Sequence, residues 1–238
     1  MNVGSEYDLM KIHASTLFGS DADGRLRYVR EPGDPHAPPR FFMGRTPQGN
    51  VWHFRHDLPD ELIRDLERLC RSEPVAVDFL RPPRITTQIR AALQTHAPII
   101  REERGPAYRI PAGVSALKDV VMITKDNGHL LYDGFPWLLL RIQDDIDVGP
   151  LVAVVVQGTA VSTCFCARLS PSAAEAGVST LEGMRGKGYA TAAVAAWTAA
   201  TEERGLLPLY STSWENPASL RVAHKLGMAR YGEDWSIE

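Results

Sequence analysis

The 238-residue chain has few cysteines, no long apolar run and no signal region. Its three cysteines, Cys70, Cys164 and Cys166, are too few and too unevenly spaced for a disulfide framework. The apolar stretch PLVAVVVQG (150–158) has the length of a buried strand, whereas a membrane-spanning helix needs roughly 18 apolar residues. The opening residues, MNVGSEYDLMKIHAS, lack the basic and apolar regions of a secretory signal. We therefore expect a cytoplasmic protein without a membrane role.

An excess of positive charge is also absent. The chain carries 26 Lys and Arg residues against 29 Asp and Glu residues, which gives a formal net charge of −3. Domains that bind nucleic acid usually present a basic surface, often with interleaved aromatic side chains, and the sequence contains no such stripe. The sequence therefore predicts no nucleic-acid partner.

The residues that could bind a metal do not form a metal-binding pattern. Cys164-Phe-Cys166 would place both sulfur atoms on one face of a strand, but no further cysteine or partner histidine lies nearby in the sequence. We therefore expect both cysteines in the core and no bound metal. Ordinary surface or hydrogen-bonded roles are expected for the histidines without metal-ligand spacing, His13, His53, His56 and His96.

The chain divides by composition into two parts. Residues 1–112 are rich in proline and arginine and predict a small N-terminal α+β unit of unknown role. From Gly149 onward, β-branched runs give way to helices alternating with strands, in the order β-β-β-α-β-α-β. This order predicts a mixed sheet with helices packed on it. We assign residues 113–238 to the second domain, with its core motifs in 149–238.

The segment EGMRGKGYA (182–190) lies where a strand is expected to become a helix. Its three glycines permit backbone conformations that a Cβ atom would block. The first N–H groups of a helix lack intrahelical partners and favour anions, and Arg185 and Lys187 would add opposite charge. The segment therefore suggests a pyrophosphate site, although alone it also fits a solvated basic turn. It matches neither G-x-x-x-x-G-K-[ST] nor G-x-G-x-x-G, which disfavours a kinase, a GTPase or a dinucleotide-dependent oxidoreductase.

Two helices with defined ends follow this segment. The first has a face of small apolar residues, which would let it lie close to a sheet, and it ends at Gly205. The second has Asn216 as its N-cap and Pro217 in its first turn, and it ends at Gly227.

Together these motifs resemble the GNAT superfamily of coenzyme-A-dependent N-acyltransferases, over roughly residues 149–238. RGKGYA (185–190) is similar to the family turn R-x-x-G-x-[GA], and NPASLRVAHKLGM (216–228) is similar to its second motif. The resemblance implies an α+β fold with a mixed, mostly antiparallel sheet and flanking helices. In that sheet two parallel strands, 175–182 and 206–214, would separate to form a V-shaped opening.

The resemblance also implies that acetyl-CoA binds as cosubstrate in this opening. Main-chain groups near Val178 and Thr180 would pair with the pantetheine arm, and Asn216 and Ser219 would lie beside it near the thioester. Main-chain amides of the turn would hold the pyrophosphate, from Arg185 through Gly186, Lys187, Gly188 and Tyr189 to Ala190.

The sequence departs from the family pattern at one position. Many members carry a tyrosine seven residues after the asparagine, thought to protonate the leaving thiolate, and this chain has Ala223 there. Neither His224 nor Tyr210 matches the motif position. The general acid is therefore unassigned, with water or another hydroxyl as alternatives.

A carboxylate near the opening would help to deprotonate an amine acceptor. Glu175 is the candidate catalytic base, and the alternative is that it is an exposed residue at a loop edge. Glu182, in the turn, is expected to face solvent. Tyr210 and Trp214 would either line an acceptor pocket or lie in the core.

The sequence thus favours an N-acetyltransferase that moves an acetyl or other short acyl group from acetyl-CoA to a primary amine. The amine would attack directly in a ternary complex. The acceptor would be a small-molecule or peptide amine, bound by the N-terminal unit and residues 127–147, and a homodimer is left open. The alternative is a CoA-binding sensor or regulatory module without turnover.

Overall fold

The computed structural model describes residues 4–111, 113, 120–143 and 146–238. These residues form six α-helices, eleven strands and two 3-10 helices, the latter at Lys125–Leu131 and Glu182–Met184. The helices are α1 (Glu6–Leu17), α2 (Asp60–Ser72), α3 (Thr86–His96), α4 (Pro136–Gln143), α5 (Tyr189–Glu203) and α6 (Pro217–Lys225). The strands are β1 (Phe18–Ser20), β2 (Leu26–Val29), β3 (Phe41–Thr46), β4 (Gly49–Phe54), β5 (Glu102–Arg109), β6 (Val120–Met122), β7 (Leu151–Val156), β8 (Thr159–Leu169), β9 (Ala173–Thr180), β10 (Leu207–Ser211) and β11 (Ala229–Ile237).

Nine of the strands form one mixed sheet, in the order β4-β3-β11-β5-β10-β9-β8-β7-β6. Among the described strands of this sheet, β9 and β10 are parallel and the other neighbours are antiparallel. The expected α+β class, with a mostly antiparallel sheet and flanking helices, is confirmed. The expected order of elements after Gly149 is also confirmed, as β7-β8-β9-α5-β10-α6-β11.

The sheet continues across the division that the composition suggested at residue 112. β5 precedes that position and pairs with β10 and β11, which follow it. β3, from still earlier in the chain, pairs with the other edge of β11. Hydrogen bonds therefore link strands from both parts, and a separate role for residues 1–112 stays a prediction.

Successive side chains of each strand point to opposite faces of the sheet, and each face has its own helices. Val152, Val154 and Ala174 pack with α5 and α6 on one face. Ala173 and Leu209 pack with α1 on the other face. Small side chains on α5 let it lie close to the strands, as the sequence predicted.

The parallel strands β9 and β10 separate partway along their length. Their hydrogen-bonded register runs from Leu207 opposite Ala173 to Leu209 opposite Glu175. Beyond that point β10 remains paired with β5, and β9 remains paired with β8 through Thr180. The strands thus diverge, as the resemblance implied, although β10 ends at Ser211 and not at residue 214.

A glycine of β5 permits a close backbone approach beside this opening. A Cβ atom on Gly105 would lie 1.6 Å from the carbonyl oxygen of Thr212 and 2.8 Å from the Cα atom of Ser213. Such distances are far below van der Waals contact. The segment that follows β10 could not occupy its place against β5 if residue 105 had a side chain.

We expect Gly105→Ala to lower the free energy of unfolding by about 1–3 kcal/mol, the usual cost of overpacking. Chemical denaturation followed by circular dichroism measures the change. Gly183→Ala is the matched control, because a Cβ atom there would have no neighbour within 4 Å. Equal stability of the two variants would contradict the close approach.

Candidate active site

A crevice of about 580 Å³ opens where β9 and β10 separate. Its walls come from the second half of β9, the end of β10, the turn before α5 and the first turns of α6. We call this space the crevice. The crevice is lined by Ala176, Val178, Ser179, Thr180, Met184, Arg185, Gly186, Gly188, Tyr189, Ala190, Thr191, Tyr210, Ser211, Thr212, Asn216, Ala218, Ser219, Arg221, Val222 and Lys225.

The turn before α5 presents main-chain amides to the crevice. Gly186 and Gly188 have φ angles of 80° and 87°, a region that favours glycine, and a Cβ atom on either would meet nothing within 4 Å. The first hydrogen bond of α5 runs from the Ala192 amide to the Gly188 carbonyl. The amides from Tyr189 to Thr191 therefore precede the first bond of the helix, where anions are favoured.

The first turn of α6 forms the opposite wall of the crevice. Asn216 caps the helix, because its Oδ1 atom accepts a hydrogen bond from the Ser219 amide at 3.1 Å. The Ser219 hydroxyl is hydrogen-bonded to the Tyr210 hydroxyl from β10. Burial raises the pKa of Tyr210 to about 12, against the opposing effect of the Ser219 hydrogen bond. Tyr210 therefore keeps its proton at neutral pH.

A buried carboxylate lies at the point where the strands separate. Glu175 occupies the last register position shared by β9 and β10 and is only 6% exposed. Its Oε1 atom accepts a hydrogen bond from the hydroxyl of Ser211, a crevice residue. The same oxygen lies 3.2 Å from Nε2 of His13, which reaches it from α1.

His13 connects this carboxylate to two groups on β11. The side chain is fully buried, and its Nδ1 atom lies 2.9 Å from the hydroxyl of Tyr231. Its Nε2 atom is also 3.7 Å from Oδ2 of Asp234. We call Glu175, His13, Tyr231 and Asp234 the buried network.

The charges of the buried network shift its pKa values in a consistent way. Burial alone would raise the pKa of Glu175, but the hydrogen bond and positive charge of His13 outweigh it and lower that pKa. Burial alone would lower the pKa of His13, but the hydrogen bond and charge of Glu175, with Asp234, raise it. Each of the two groups therefore favours the charged form of the other, as in an ion pair. Burial raises the pKa of Asp234 to about 7, and the negative charge of Glu175 adds to this effect while His13 opposes it.

Comparison with known proteins identifies the region that contains the crevice. A family model described as GNAT acetyltransferase matches residues 148–233. Residues 148–233 are similar to GNAT acetyltransferases, and the match covers less than half of the chain. This similarity implies acyl transfer from CoA as the class of reaction for the matched region.

One solved structure supports a similar fold across the chain. A GCN5-related N-acetyltransferase-like protein from Streptococcus suis aligns with 98% of this chain and 100% of its own, at 18% identity and a TM-score of 0.51. A GNAT-family protein from Novosphingobium aromaticivorans aligns with 59% of this chain, at 19% identity and a TM-score of 0.48. The chain spans just under two thirds of that protein, 65%. A search of curated protein sequences found no match.

The crevice brings together the residues predicted to bind the cosubstrate, with one exception. Lys187 does not line the crevice, and its ammonium group contacts the sulfur atom of Met184 at 3.4 Å. The Arg185 amide donates to the Glu182 carbonyl at 3.2 Å, so the amides open to a ligand begin after Arg185 and not at it. The predicted residues in the crevice wall are Val178, Thr180, Arg185, Gly186, Gly188, Tyr189, Ala190, Asn216 and Ser219.

The structure corrects the alternatives considered for the other side chains. Glu175 is buried, so the expectation of an exposed residue at a loop edge is wrong, whereas Glu182 is exposed as predicted. Tyr210 is 1% exposed and belongs to the core, although its hydroxyl reaches the crevice. Trp214 does not line the crevice, and its indole N–H donates to Glu233 at 2.7 Å.

Sequence reasoning missed the partners of Glu175. His13 was expected to be an ordinary histidine, and α1 itself was not predicted. One signal was available, because Ser5 and Asp8 form a capping box at the start of α1. Leu9, which follows it, begins the buried face of this helix. No local pattern indicated that this helix would meet β9.

Two further classes of site are absent from the described residues. No group of three or more His, Cys, Asp or Glu side chains there is arranged to hold a metal ion. No described helix combines the length and the apolar character needed to cross a bilayer. Cys164 and Cys166 are fully buried, as predicted for core residues.

The capping hydrogen bond of Asn216 is expected to stabilise the fold. We expect Asn216→Ala to lower the free energy of unfolding by about 1 kcal/mol, because the Ser219 amide loses its acceptor. Asn216→Asp is the matched control, since aspartate keeps the acceptor and suits a helix N-terminus. Urea denaturation compares the variants, and a loss of the same size in both would refute the capping role.

Proposed function

We propose that this protein is an N-acetyltransferase that transfers an acetyl or other short acyl group from acetyl-CoA to a primary amine. The amine attacks the thioester directly while both substrates are bound. The observation that carries the proposal is the buried Glu175 carboxylate, which lies where β9 and β10 separate and accepts a hydrogen bond from the crevice residue Ser211. The acceptor is a small-molecule or peptide amine.

The crevice fits the donor part of this reaction. The glycines at 186 and 188 leave space that a Cβ atom would fill, beside the first amides of α5 and the guanidinium of Arg185. These groups suit a pyrophosphate, because helix N-termini and arginine both favour phosphate oxygens. The free edge of β9, around Val178 and Thr180, offers main-chain partners for the amides of a pantetheine arm. When bound, acetyl-CoA supplies an activated acyl thioester.

The buried network fits the acceptor part. An amine that resembles lysine has a pKa of about 10.4, so only about one molecule in a few thousand is neutral at pH 7. This scarcity adds roughly 4–5 kcal/mol to the barrier unless a base assists. Glu175 is ionised and accepts the proton that the amine nitrogen loses as the new C–N bond forms. Its side chain points to the face that carries α1, opposite the face that carries α5, and it contacts the crevice residue Ser211.

The proton for the leaving thiolate has a candidate source in the crevice. Ala223 holds the position where the family often has tyrosine, and it carries no donor. The hydrogen-bonded hydroxyls of Tyr210 and Ser219 reach the crevice from β10 and α6. Because Tyr210 keeps its proton at neutral pH, this pair is able to donate one.

The missing hydroxyl at Ala223 favours a second candidate, a CoA-binding sensor or regulatory module without turnover. Such a module would bind CoA in the crevice but would not consume acetyl-CoA. Thioester consumption with a panel of amines separates the two functions, since a sensor releases no free thiol with any amine.

The phosphate assignment predicts a loss of CoA affinity in Arg185→Ala. We expect the dissociation constant for CoA to rise by about tenfold or more, because a charge-assisted hydrogen bond is lost. Isothermal titration calorimetry measures it, with circular dichroism to show that the variant is folded. Arg64→Ala, an equal change of charge at an exposed position on α2, is the control. Unaltered affinity in Arg185→Ala would remove the phosphate assignment.

The base assignment predicts a loss of catalysis in Glu175→Gln. We expect kcat/KM for the amine to fall by roughly 10²–10⁴, the usual contribution of a general base. We also expect the acidic limb of the pH–rate profile to disappear, because glutamine does not titrate. CoA affinity should stay near the wild-type value. An unchanged profile and an unchanged kcat/KM for the amine would refute the assignment.

A further inference from the structure

His13 occupies a position that the proposed reaction does not yet explain. Its ring is fully buried between α1 and the sheet, and both ring nitrogens face polar partners. A histidine that only fills the core needs one or two hydrogen bonds to main chain or water. Here the ring instead meets the side chains of Glu175, Asp234 and Tyr231.

A buried base must release its proton after every turnover. Glu175 is 6% exposed and is not among the residues that line the crevice, which it contacts through the hydroxyl of Ser211. Asp234 is more accessible, with 21% of its side chain exposed. The Nε2 atom of His13 lies 3.2 Å from the Glu175 carboxylate and 3.7 Å from that of Asp234. The ring thus lies between the buried carboxylate of Glu175 and the partly exposed carboxylate of Asp234.

We propose that His13 is a positioning residue with two roles, and this proposal rests on the transferase function above. His13 holds the Glu175 carboxylate ionised. It also relays the proton that Glu175 takes from the amine to Asp234, which releases a proton to water. Tyr231 holds the ring in place through Nδ1. The proposal concerns the acceptor side and is independent of how CoA is bound.

The proton transfers balance without any further reactant. In the resting state the Nε2–H of imidazolium His13 is shared between the two carboxylates. Its N–H bond breaks as an O–H bond forms on Asp234, which leaves a neutral ring. The amine proton, taken up by Glu175, then moves to Nε2, and Glu175 and the imidazolium are restored. Asp234 gives its proton to water. The gap of 3.7 Å closes to hydrogen-bonding distance with a shift of about 0.5–1 Å.

The charged groups around the buried network support this direction of transfer. Arg168 on β8 lies opposite Glu175 and helps to lower the pKa of that carboxyl. Glu103 on β5 and Glu233 on β11 act on Asp234 and raise its pKa, after the larger effect of burial. A proton is therefore held more readily on Asp234 than on Glu175 at neutral pH.

Steady-state kinetics test the relay with two variants, one expected to shift the pH–rate profile and the other expected to lower kcat. In His13→Gln the counter-charge is lost, so burial raises the pKa of Glu175, and we expect the acidic limb of the pH–rate profile to move to higher pH. In Asp234→Asn the counter-charge remains and the proton exit is lost. There we expect kcat to fall about tenfold, which is less than the loss expected when the general base itself is removed. The KM for the amine should stay unchanged, and the solvent isotope effect on kcat should increase.

His53→Gln is the matched control, because His53 lies on β4 outside the network. We expect its profile to match the wild-type profile. A purely structural role for His13 would lower stability and leave the acidic limb in place. An active wild type whose acidic limb does not move in His13→Gln would overturn the relay alone, whereas a wild type that consumes no acyl-CoA would overturn the proposed function.

Nuclear magnetic resonance of ¹⁵N-labelled histidine tests the network without turnover. We expect the His13 imidazolium to persist to a higher pH than an ordinary histidine does, because the two carboxylates favour the charged ring. Glu175→Gln and Asp234→Asn should each lower the pKa of His13. If His13 titrates as an ordinary histidine does and neither substitution changes its pKa, the relay is overturned. This test needs no turnover, so its result holds even if the protein transfers an acyl group to none of the amines tested.

Discussion

The ion pair between Glu175 and His13 fixes the relation between the strand opening and the rest of the fold. It joins β9 to α1 across a sequence separation of 162 residues. Both side chains are almost fully withdrawn from water, so each depends on the other. Removing one partner of a buried pair leaves an uncompensated charge and costs about 3–5 kcal/mol. The pair therefore requires α1 to pack on the sheet in one position, and the hydrogen bond between Nδ1 of His13 and the Tyr231 hydroxyl adds a contact to β11.

The alternation of side chains along β9 divides the site into two sides. Ala174 and Ala176 face α5, and Glu175 between them faces α1. Beyond Glu175 the strand loses β10 as a neighbour, so its main chain is open to the crevice while its side chains still point to both faces. On the proposed assignment, one strand offers main-chain groups to the donor and a carboxylate to the acceptor. Because the two parallel strands separate, the main-chain groups for the donor and the carboxylate for the acceptor lie within a few residues of each other.

The parts of the site that sequence could predict are those determined by near neighbours. The ends of α5 and α6 follow from Gly188, Asn216 and Gly227, because capping involves residues within a few positions of one another. The strands and helices after Gly149 are likewise each indicated by the residues of their own short segments. The partnership of His13 with Glu175 is not local, and no pattern near either residue indicates the other. The composition change near residue 112 was visible, whereas the pairing of β5 with strands beyond it depends on contacts across the chain.

The region that matches the family does not contain the whole proposed site. It spans residues 148–233 and includes the glycine turn, the capped α6 and Glu175. His13 lies far before it, and Asp234 follows its last residue. On the proposed assignment, the donor side is therefore complete within the matched region, but the base has neither its counter-charge nor its proton exit there. The N-terminal α1 is then a part of the acceptor side, since burial would raise the pKa of Glu175 if His13 were absent, and less of the carboxylate would be ionised to take a proton from an amine.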